Sequence, residues 1–322
     1  MNTQYDFISV GEALLDFISD DLGGSLAAAR VFQRHAGGQA SNLAVTMSRL
    51  GQKAAAAVAV GDDGLGEHFI HSLVDAGVDT QFIQVSQTLP TTVVIVSRQT
   101  ITPEFIIYRG ADSAIYPQEA LLEAVKRTRI LHTSAFALAR NPARDTILQC
   151  MQLAKEHGAL VTLDPNYHPR IWPDTENFKA VLQDAFALVD VTKPSIEDCE
   201  RFIGPGLTPV AYAEAFSELG PSTVLVSMGN QGVVLASKDG TRYHLYPQAV
   251  DVVDVTGAGD AFWSGFLTAR LNGKSDLESA CFGQAVAEEK IKFVGPIRSM
   301  PAVNLLNQHA ARIRSAAHKI QS

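Results

Sequence analysis

The sequence predicts an α/β fold with a mainly parallel central sheet, helices on both faces and a small β-sheet lid, on three observations. Short apolar runs alternate with stretches of helical period. Glycine closes several of those stretches, as a helix C-cap requires. The rhythm breaks twice, where strand pairs follow one another with no helix between them.

Phe7–Val10, Ala54–Val60, Ile130–Leu131, Leu160–Leu163, Leu188–Val191 and Thr223–Val226 read as strands buried on both faces, as a parallel sheet demands. Between them Asn42–Leu50, Gly66–Ala76, Gln118–Arg127, Arg144–His157 and Ala211–Leu219 read as helices, with Gly51, Gly77, Gly158 and Gly220 at their ends. The two breaks are Leu14–Ser19 with Val31–His35, and Thr91–Ser97 with Phe105–Tyr108. These pieces predict a discontinuous lid, from about residues 12–36 and 91–111, over a single domain spanning 1–322. Leu14, Phe17, Val94 and Val96 are expected to line one buried face of that lid. No internal repeat, low-complexity tract or long linker marks a second domain.

With 46% hydrophobic and 19% charged residues in 322, the chain has material for a large core. A net charge of −8 and a pI near 5.6 argue against a nucleic-acid partner, which needs a basic surface. No apolar stretch reaches the roughly 20 residues that span a bilayer, and the N-terminus lacks the charged and apolar regions of a signal peptide. Cys150, Cys199 and Cys281 are widely spaced and odd in number, as free thiols in a reducing compartment would be. A cytoplasmic protein with no membrane partner is therefore expected.

The run Asp254-Val255-Thr256-Gly257-Ala258-Gly259-Asp260 precedes an apolar helix from Ala261 to Leu271 that ends at Gly273. Small residues leave the N–H groups of a helix N-terminus uncovered, and the helix dipole reinforces the anion site so formed. Asp260 there either caps the helix or takes the proton of a hydroxyl attacking a phosphate; residue type alone leaves both open. VVDVTGAGDAFWSGF resembles the C-terminal signature of the ribokinase (pfkB-type) carbohydrate kinases, D-T-T-G-A-G-D-x-F-x-x-G, from which only Val255 departs. That resemblance implies a ribokinase-like fold, an anion hole at Gly257, Ala258 and Gly259, and Asp260 as catalytic base. Other phosphate codes fail: Gly273-Lys274-Ser275 has Thr268 where a P-loop needs glycine, and Gly61, Gly64 and Gly66 have the wrong order for a dinucleotide fingerprint.

At the other end, Ala36-Gly37-Gly38-Gln39-Ala40-Ser41-Asn42 leads into a helix that Ser41 or Asn42 could cap. It is similar to the family's N-terminal signature G-G-x-x-x-N-x-A, and Gly61-Asp62-Asp63-x-x-Gly66 resembles the turn after it. Asp16 interrupts an apolar strand, which fits either a solvent-facing residue or a carboxylate that holds sugar hydroxyls. The resemblance implies the second role for Asp16, with Gly37, Gly38 and Asn42. GEALLDF and YRGAD look like fructokinases, and in that pattern Arg109 approaches the substrate.

In the middle of the chain, Asp164-Pro165-Asn166-Tyr167-His168 follows a strand, where ligands of parallel sheets gather. Asp164 and Asn166 are placed there to hold water on Mg²⁺ or touch phosphates of the nucleotide, or else simply form an Asp-Pro turn; the segment resembles the family's D-P-N-x-R-x-x-L-W, with His168 where arginine is expected and Arg170 two residues on. Lys193-Pro194-Ser195-Ile196-Glu197-Asp198 resembles the N-x-x-E region, with Ser195 and Asp198 in the Asn and Glu positions. Lys193 and Asp198 are thereby implied at the nucleotide and at Mg²⁺, with Glu197 as the alternative carboxylate. Ser227-Met228-Gly229-Asn230-Gln231-Gly232 looks like the nucleotide turn V-T-L-G-x-x-G, implying Ser227, Gly229 and Gly232 as ATP contacts. Asp254 and Thr256, with the loop near Gly295, match where relatives hold K⁺.

These resemblances imply an ATP-dependent sugar kinase, Mg²⁺-assisted, acting on a primary hydroxyl and pairing through its lid as a homodimer. Fructose is the expected acceptor, with 2-keto-3-deoxygluconate, ribose and nucleosides as alternatives. A sugar- or nucleotide-binding regulator without turnover is the reading of another class, kept open by His168, Ser195 and Asp198.

Overall fold

The computed structural model describes residues 3–21, 23–98, 104–172, 174–248, 250–293 and 300–320. The first part of the chain forms β1 (Tyr5–Val10), β2 (Leu14–Ser19), β3 (Phe32–Gly37), α1 (Gln39–Arg49), β4 (Ala54–Ala57), β5 (Ala59–Gly61), α2 (Gly64–Asp75), β6 (Gln84–Ser86), β7 (Val93–Val96) and β8 (Phe105–Tyr108). Next come α3 (Glu119–Val125), β9 (Thr128–Ser134), α4 (Ala143–Glu156), β10 (Leu160–Asp164), α5 (Thr175–Phe186), β11 (Val191–Thr192), α6 (Ile196–Phe202), α7 (Pro209–Glu218), β12 (Thr223–Ser227), β13 (Val233–Ser237) and β14 (Arg242–Leu245). Helices α8 (Ala258–Leu271), α9 (Asp276–Lys290) and α10 (Val303–Ala316) and the short β15 (His318–Lys319) complete the order.

Nine strands form the large sheet in the order β15-β14-β13-β12-β11-β10-β9-β1-β4. From β4 to β12 every pairing is parallel, and β13 to β15 add an antiparallel edge. The strands alternate between two cores: Val224 and Val226 face one with Ile147, Phe178 and Phe216, whereas Leu225 faces the other with Leu43, Phe69 and Phe266. Helices α3 to α7 thus cover one face and α1, α2 and α8 to α10 the opposite one. Each large apolar side chain so enclosed contributes about 1.5–3 kcal/mol. A second sheet has the order β3-β2-β7-β8, two hairpins joined through the parallel pair β2 and β7.

This small sheet joins two pieces distant in sequence, as expected, but its faces differ from the expectation. Leu14 and Val94 pack on Phe136 with Val96, Phe105 and Ile107 around them. Phe17 packs instead against the core beneath α1 and α2, since residues 14 and 17 of one strand point to opposite faces. Ile106 and Tyr108, on the outward face of β8, are 41% and 60% exposed. Asp63 ties this sheet to the body: its carboxylate accepts from Thr91 N (2.8 Å) and Thr91 Oγ1 (2.8 Å) while capping α2 through Leu65 N and Gly66 N. Burial disfavours its charge, but these donors outweigh that and hold the carboxyl below its usual range.

Three predicted boundaries move. Ala54–Val60 is two strands, because β1 ends opposite Ala57 and Ala59–Gly61 turns away to pair with β6. Leu188 and Val189 are apolar yet not strand; their amides close the end of α5 on Ala185 O and Phe186 O, so β11 begins only at Val191. Helix α1 starts at Gln39 after Gly38, with neither Ser41 nor Asn42 as its cap. A distant carboxylate, Glu12, accepts the Gln39 N–H at 2.8 Å instead.

Candidate active site

The carboxyl ends of β1, β10, β11 and β12 meet the N-termini of α1 and α8, the edge where parallel sheets gather ligands. Asp260 lies in the first turn of α8, half-buried. Its carboxylate accepts Asn42 Nδ2 at 2.9 Å and Gln39 Nε2 at 3.4 Å, both from the first turn of α1. The same Gln39 Nε2 reaches Asp164 Oδ2 at 2.7 Å, and Lys193 Nζ pairs with that oxygen at 2.8 Å. Burial raises the Asp260 pKa, with Asp164 adding to the rise, while Asn42, Lys193 and Gln39 oppose it. For buried Lys193, desolvation works against the charge; Asp164, Asp260 and Asp198 outweigh it and lift the pKa.

The turn before α8 has the form an anion site needs. Gly257 is its N-cap at φ 76, a left-handed geometry. The Ala258 N–H donates to Val255 O at 3.1 Å, so Ala258 serves the turn itself. Among the described residues, nothing accepts the amides of Gly257, Gly259 or Asp260. Lys193 Nζ stands 3.7 Å from where a Gly259 side chain would begin, so a fixed positive charge flanks these amides.

Asp16 faces Asp260 across a cleft that Asn42, Thr256, Gly257 and Lys290 also line. No protein donor satisfies its carboxylate among the described residues. Burial first, and the charge of Asp260 second, raise its pKa to about 7. A side chain at Gly37 would begin 2.2 Å from Asp16 Oδ2, so glycine there is what lets the carboxylate occupy its place. Gly38, at φ 93, has Glu12 O 2.4 Å from a would-be Cβ, and only glycine fits.

The remaining expected residues divide. Asp198 serves its own helix: it forms a capping box with Ser195, and its Oδ1 accepts Tyr167 N at 2.8 Å. Asn166 is exposed at φ 32, its N–H on Asp164 Oδ1 at 3.2 Å. Ser227 N donates to Pro194 O at 2.9 Å, which sets the 227–232 turn beside Lys193. Gly229 lies open in that turn, whereas a side chain at Gly232 would begin 1.9 Å from Leu245 O. Arg109 does not line the cleft between Asp16 and Asp260; it pairs with Asp112 and stacks 4.6 Å over Phe136. His168 meets the small sheet, edge-on to Phe105 at 4.4 Å, and Arg170 lies 5.3 Å from the same ring.

For a divalent cation, Asp164 and Asp198 offer carboxylate oxygens close enough to feel each other's charge and that of Lys193. Among the described residues no three acidic, His or Cys side chains form a ready ligand set. That combination suits Mg²⁺ carried by phosphates and water and touched by at most one or two carboxylates. A monovalent cation fits less well. Asp254 Oδ1 already accepts Thr256 N at 3.0 Å, and the Lys290 ammonium lies in the field of Asp254. The third element of that expectation, Gly295, is outside the described residues.

Three site residues escaped the sequence reading. Gln39 bridges two carboxylates from different ends of the chain. Glu12, buried, accepts Ser134 Oγ at 2.6 Å and has its pKa raised to about 7 by burial. Lys290 comes from the last turn of α9. Gln39 stood inside a recognised motif and Glu12 in an apolar run, which were usable signals; Lys290 had none.

Residues 5–303 match the pfkB family of carbohydrate kinases. The chain belongs to that family. As a pfkB kinase it is 33% identical over 305 residues to the ATP-dependent 6-phosphofructokinase of Thermoanaerobacterium thermosaccharolyticum, covering 94% of this chain and 93% of that one. The fructokinase structure of Halothermothrix orenii is similar at TM-score 0.74 and 31% identity, over 92% of this chain and all of that one. A sugar kinase of Pyrococcus horikoshii, solved in complex with ATP, is similar at TM-score 0.82 and 28% identity, over 96% and 99% of the two chains. The pfkB kinase described here is therefore an ATP-dependent sugar kinase with a ribokinase-like fold.

Proposed function

We propose that this kinase is fructokinase-like and transfers the γ-phosphoryl of ATP to a primary hydroxyl of fructose, with Asp260 as the base. The observation that carries the reading is the pair Asp16 and Asp260, two carboxylates facing one cleft, one without a protein donor among the described residues and one beside open helix amides. Asp16 would hold the acceptor's hydroxyls with Asn42 and the Gly37–Gly38 backbone. Asp260 would take the proton as the hydroxyl attacks in line. The Gly257 and Gly259 amides and Lys193 would receive the charge that develops on the transferring group. Asn166, Ser227 and Gly229 would line the nucleotide. Mg²⁺, when bound, neutralises phosphate charge, with Asp164 and Asp198 reaching it through water.

A second reading has fructose 6-phosphate as acceptor, favoured by the similarity to the 6-phosphofructokinase. An ADP-release assay with fructose, fructose 6-phosphate, ribose, 2-keto-3-deoxygluconate and a nucleoside separates the two. The expected result is the highest kcat/KM with fructose. Preference for the phosphorylated sugar moves the chain to the second reading, and ATP binding without turnover of any acceptor makes it a regulator.

A cytoplasmic setting is supported by three free, buried cysteines, and no described helix is long and apolar enough to cross a membrane. Pairing through the small sheet is supported by its outward apolar residues Ile106 and Tyr108. Sedimentation of Ile106→Glu/Tyr108→Glu tests it: a halved mass is expected, and an unchanged mass removes that face from any dimer.

A further inference from the structure

Lys290 belongs to no motif recognised in the sequence, yet it is 3% exposed and points into the active-site cleft. The 253–257 turn is laid against the end of α9, where Val253 N and Asp254 N both donate to Ile291 O, at 2.8 and 3.1 Å. Lys290 sits beside that junction. Its Nζ donates to Phe293 O at 3.4 Å, and its Cε lies 3.7 Å from where a Gly257 side chain would begin. Burial holds its pKa below the ordinary lysine value, and Asp254 and Asp260 partly offset this by favouring the charged form. With Lys193 Nζ 3.7 Å from the corresponding point on Gly259, each of the two glycines has a lysine side chain against it.

The turn carries two carboxylates, Asp254 and Asp260, and a positive charge beside them offsets their mutual repulsion. A cation from solution is one source and a side chain is another. We propose that Lys290 is a positioning residue that supplies this charge from within the chain, so that the kinase needs no monovalent cation at the 254–257 turn. A second unit charge lodged there would be repelled by the ammonium at short range.

The inference uses the anion-site reading of Gly257–Gly259 but is tested first without turnover. Thermal unfolding is followed in KCl and in choline chloride, each at 100 mM, for the wild type, Lys290→Met and Lys290→Arg. The wild type and Lys290→Arg are expected to melt at the same temperature in both salts. Lys290→Met is expected to melt about 2–3 °C higher in KCl, the rise that a cation bound in the low millimolar range produces in a domain of this size. In the ATP-dependent assay with whichever acceptor turns over, Lys290→Met should lose about 10–100-fold in kcat in choline and recover to within about threefold in KCl. A wild type that is stabilised or activated by K⁺ overturns the proposal, as does a folded Lys290→Met that responds to K⁺ in neither measurement. Lys290→Gln replaces the Met variant if that one does not fold. Failure of every acceptor would count against the proposed function, while the melting comparison would still decide this point.

Discussion

On the acceptor side of the cleft, Asp16 has no protein donor among the described residues, and Asn42 and Asp260 bond chiefly to the site itself. On the nucleotide side, Asp198 completes a capping box, Ser227 is bonded to Pro194 O, and Gly232 is imposed by Leu245 O. Both sides carry segments that resemble the family's motifs, the second with departures at His168, Ser195 and Asp198. The difference teaches that a motif residue with an architectural partner is already explained by the fold. A half-buried carboxylate without one is not explained by the fold's own hydrogen bonds, and desolvating its charge is costly unless it takes up a proton or holds a ligand.

The largest break would come from Asp260→Asn, which keeps shape and removes the proposed base. It should lower kcat by about 10²–10⁴-fold with unchanged circular dichroism. A folded variant near wild-type kcat would put Asp260 among the architectural residues and erase the contrast. Next is Gly232→Ala, where a methyl group would meet Leu245 O in a left-handed turn at φ 91. The expected loss exceeds about 2 kcal/mol, read as a melting temperature at least ~3 °C lower. An unchanged melting temperature with a raised ATP KM would move Gly232 to the ligand-holding class.

Asp16→Asn sharpens the other side. Loss of charge-assisted bonds of about 1.5–3 kcal/mol each should raise the sugar KM tenfold or more and leave the ATP KM alone. The same variant has a pH signature. Burial and Asp260 raise the Asp16 pKa to about 7, above its ordinary value of 3.8, so the folded enzyme prefers the proton and its ionisation costs stability. The ligand-free Asn variant should therefore gain in melting temperature over the wild type as pH rises from about 4 to 7, then hold that gain to pH 8. A constant difference across that range would show that Asp16 ionises as freely in the fold as in the unfolded chain. Smallest is Ser195→Ala, which removes the cap of α6. It should cost about 1 kcal/mol of stability and change the ATP KM less than threefold; a larger kinetic effect would make Ser195 a nucleotide contact.

The parallel rhythm, the two strand pairs and both glycine-rich signatures were legible in the sequence because each is local. Periodicity, caps and turn residues act within a few positions of one another, and the fold then followed their order. The errors were also instructive in kind. Leu188 and Val189 share a strand's composition but end a helix, and Phe17 was placed on the wrong face by reading similarity of side chain ahead of its odd spacing from Leu14.

By itself the sequence determined that this is an α/β chain of alternating strands and helices, with a glycine turn at Gly257–Gly259 opening a helix whose first turn carries Asp260. Only the tertiary structure decided which side chains act together. Gln39 joins Asp164 to Asp260 across 125 and 221 positions of chain, and the Glu12 carboxylate, not Ser41 or Asn42, caps α1. Lys290 reaches the cleft only because the 253–257 turn is packed on the end of α9. Such contacts depend on distance in space, and charges and hydrogen bonds between elements far apart in the chain leave no period or spacing by which a sequence could announce them.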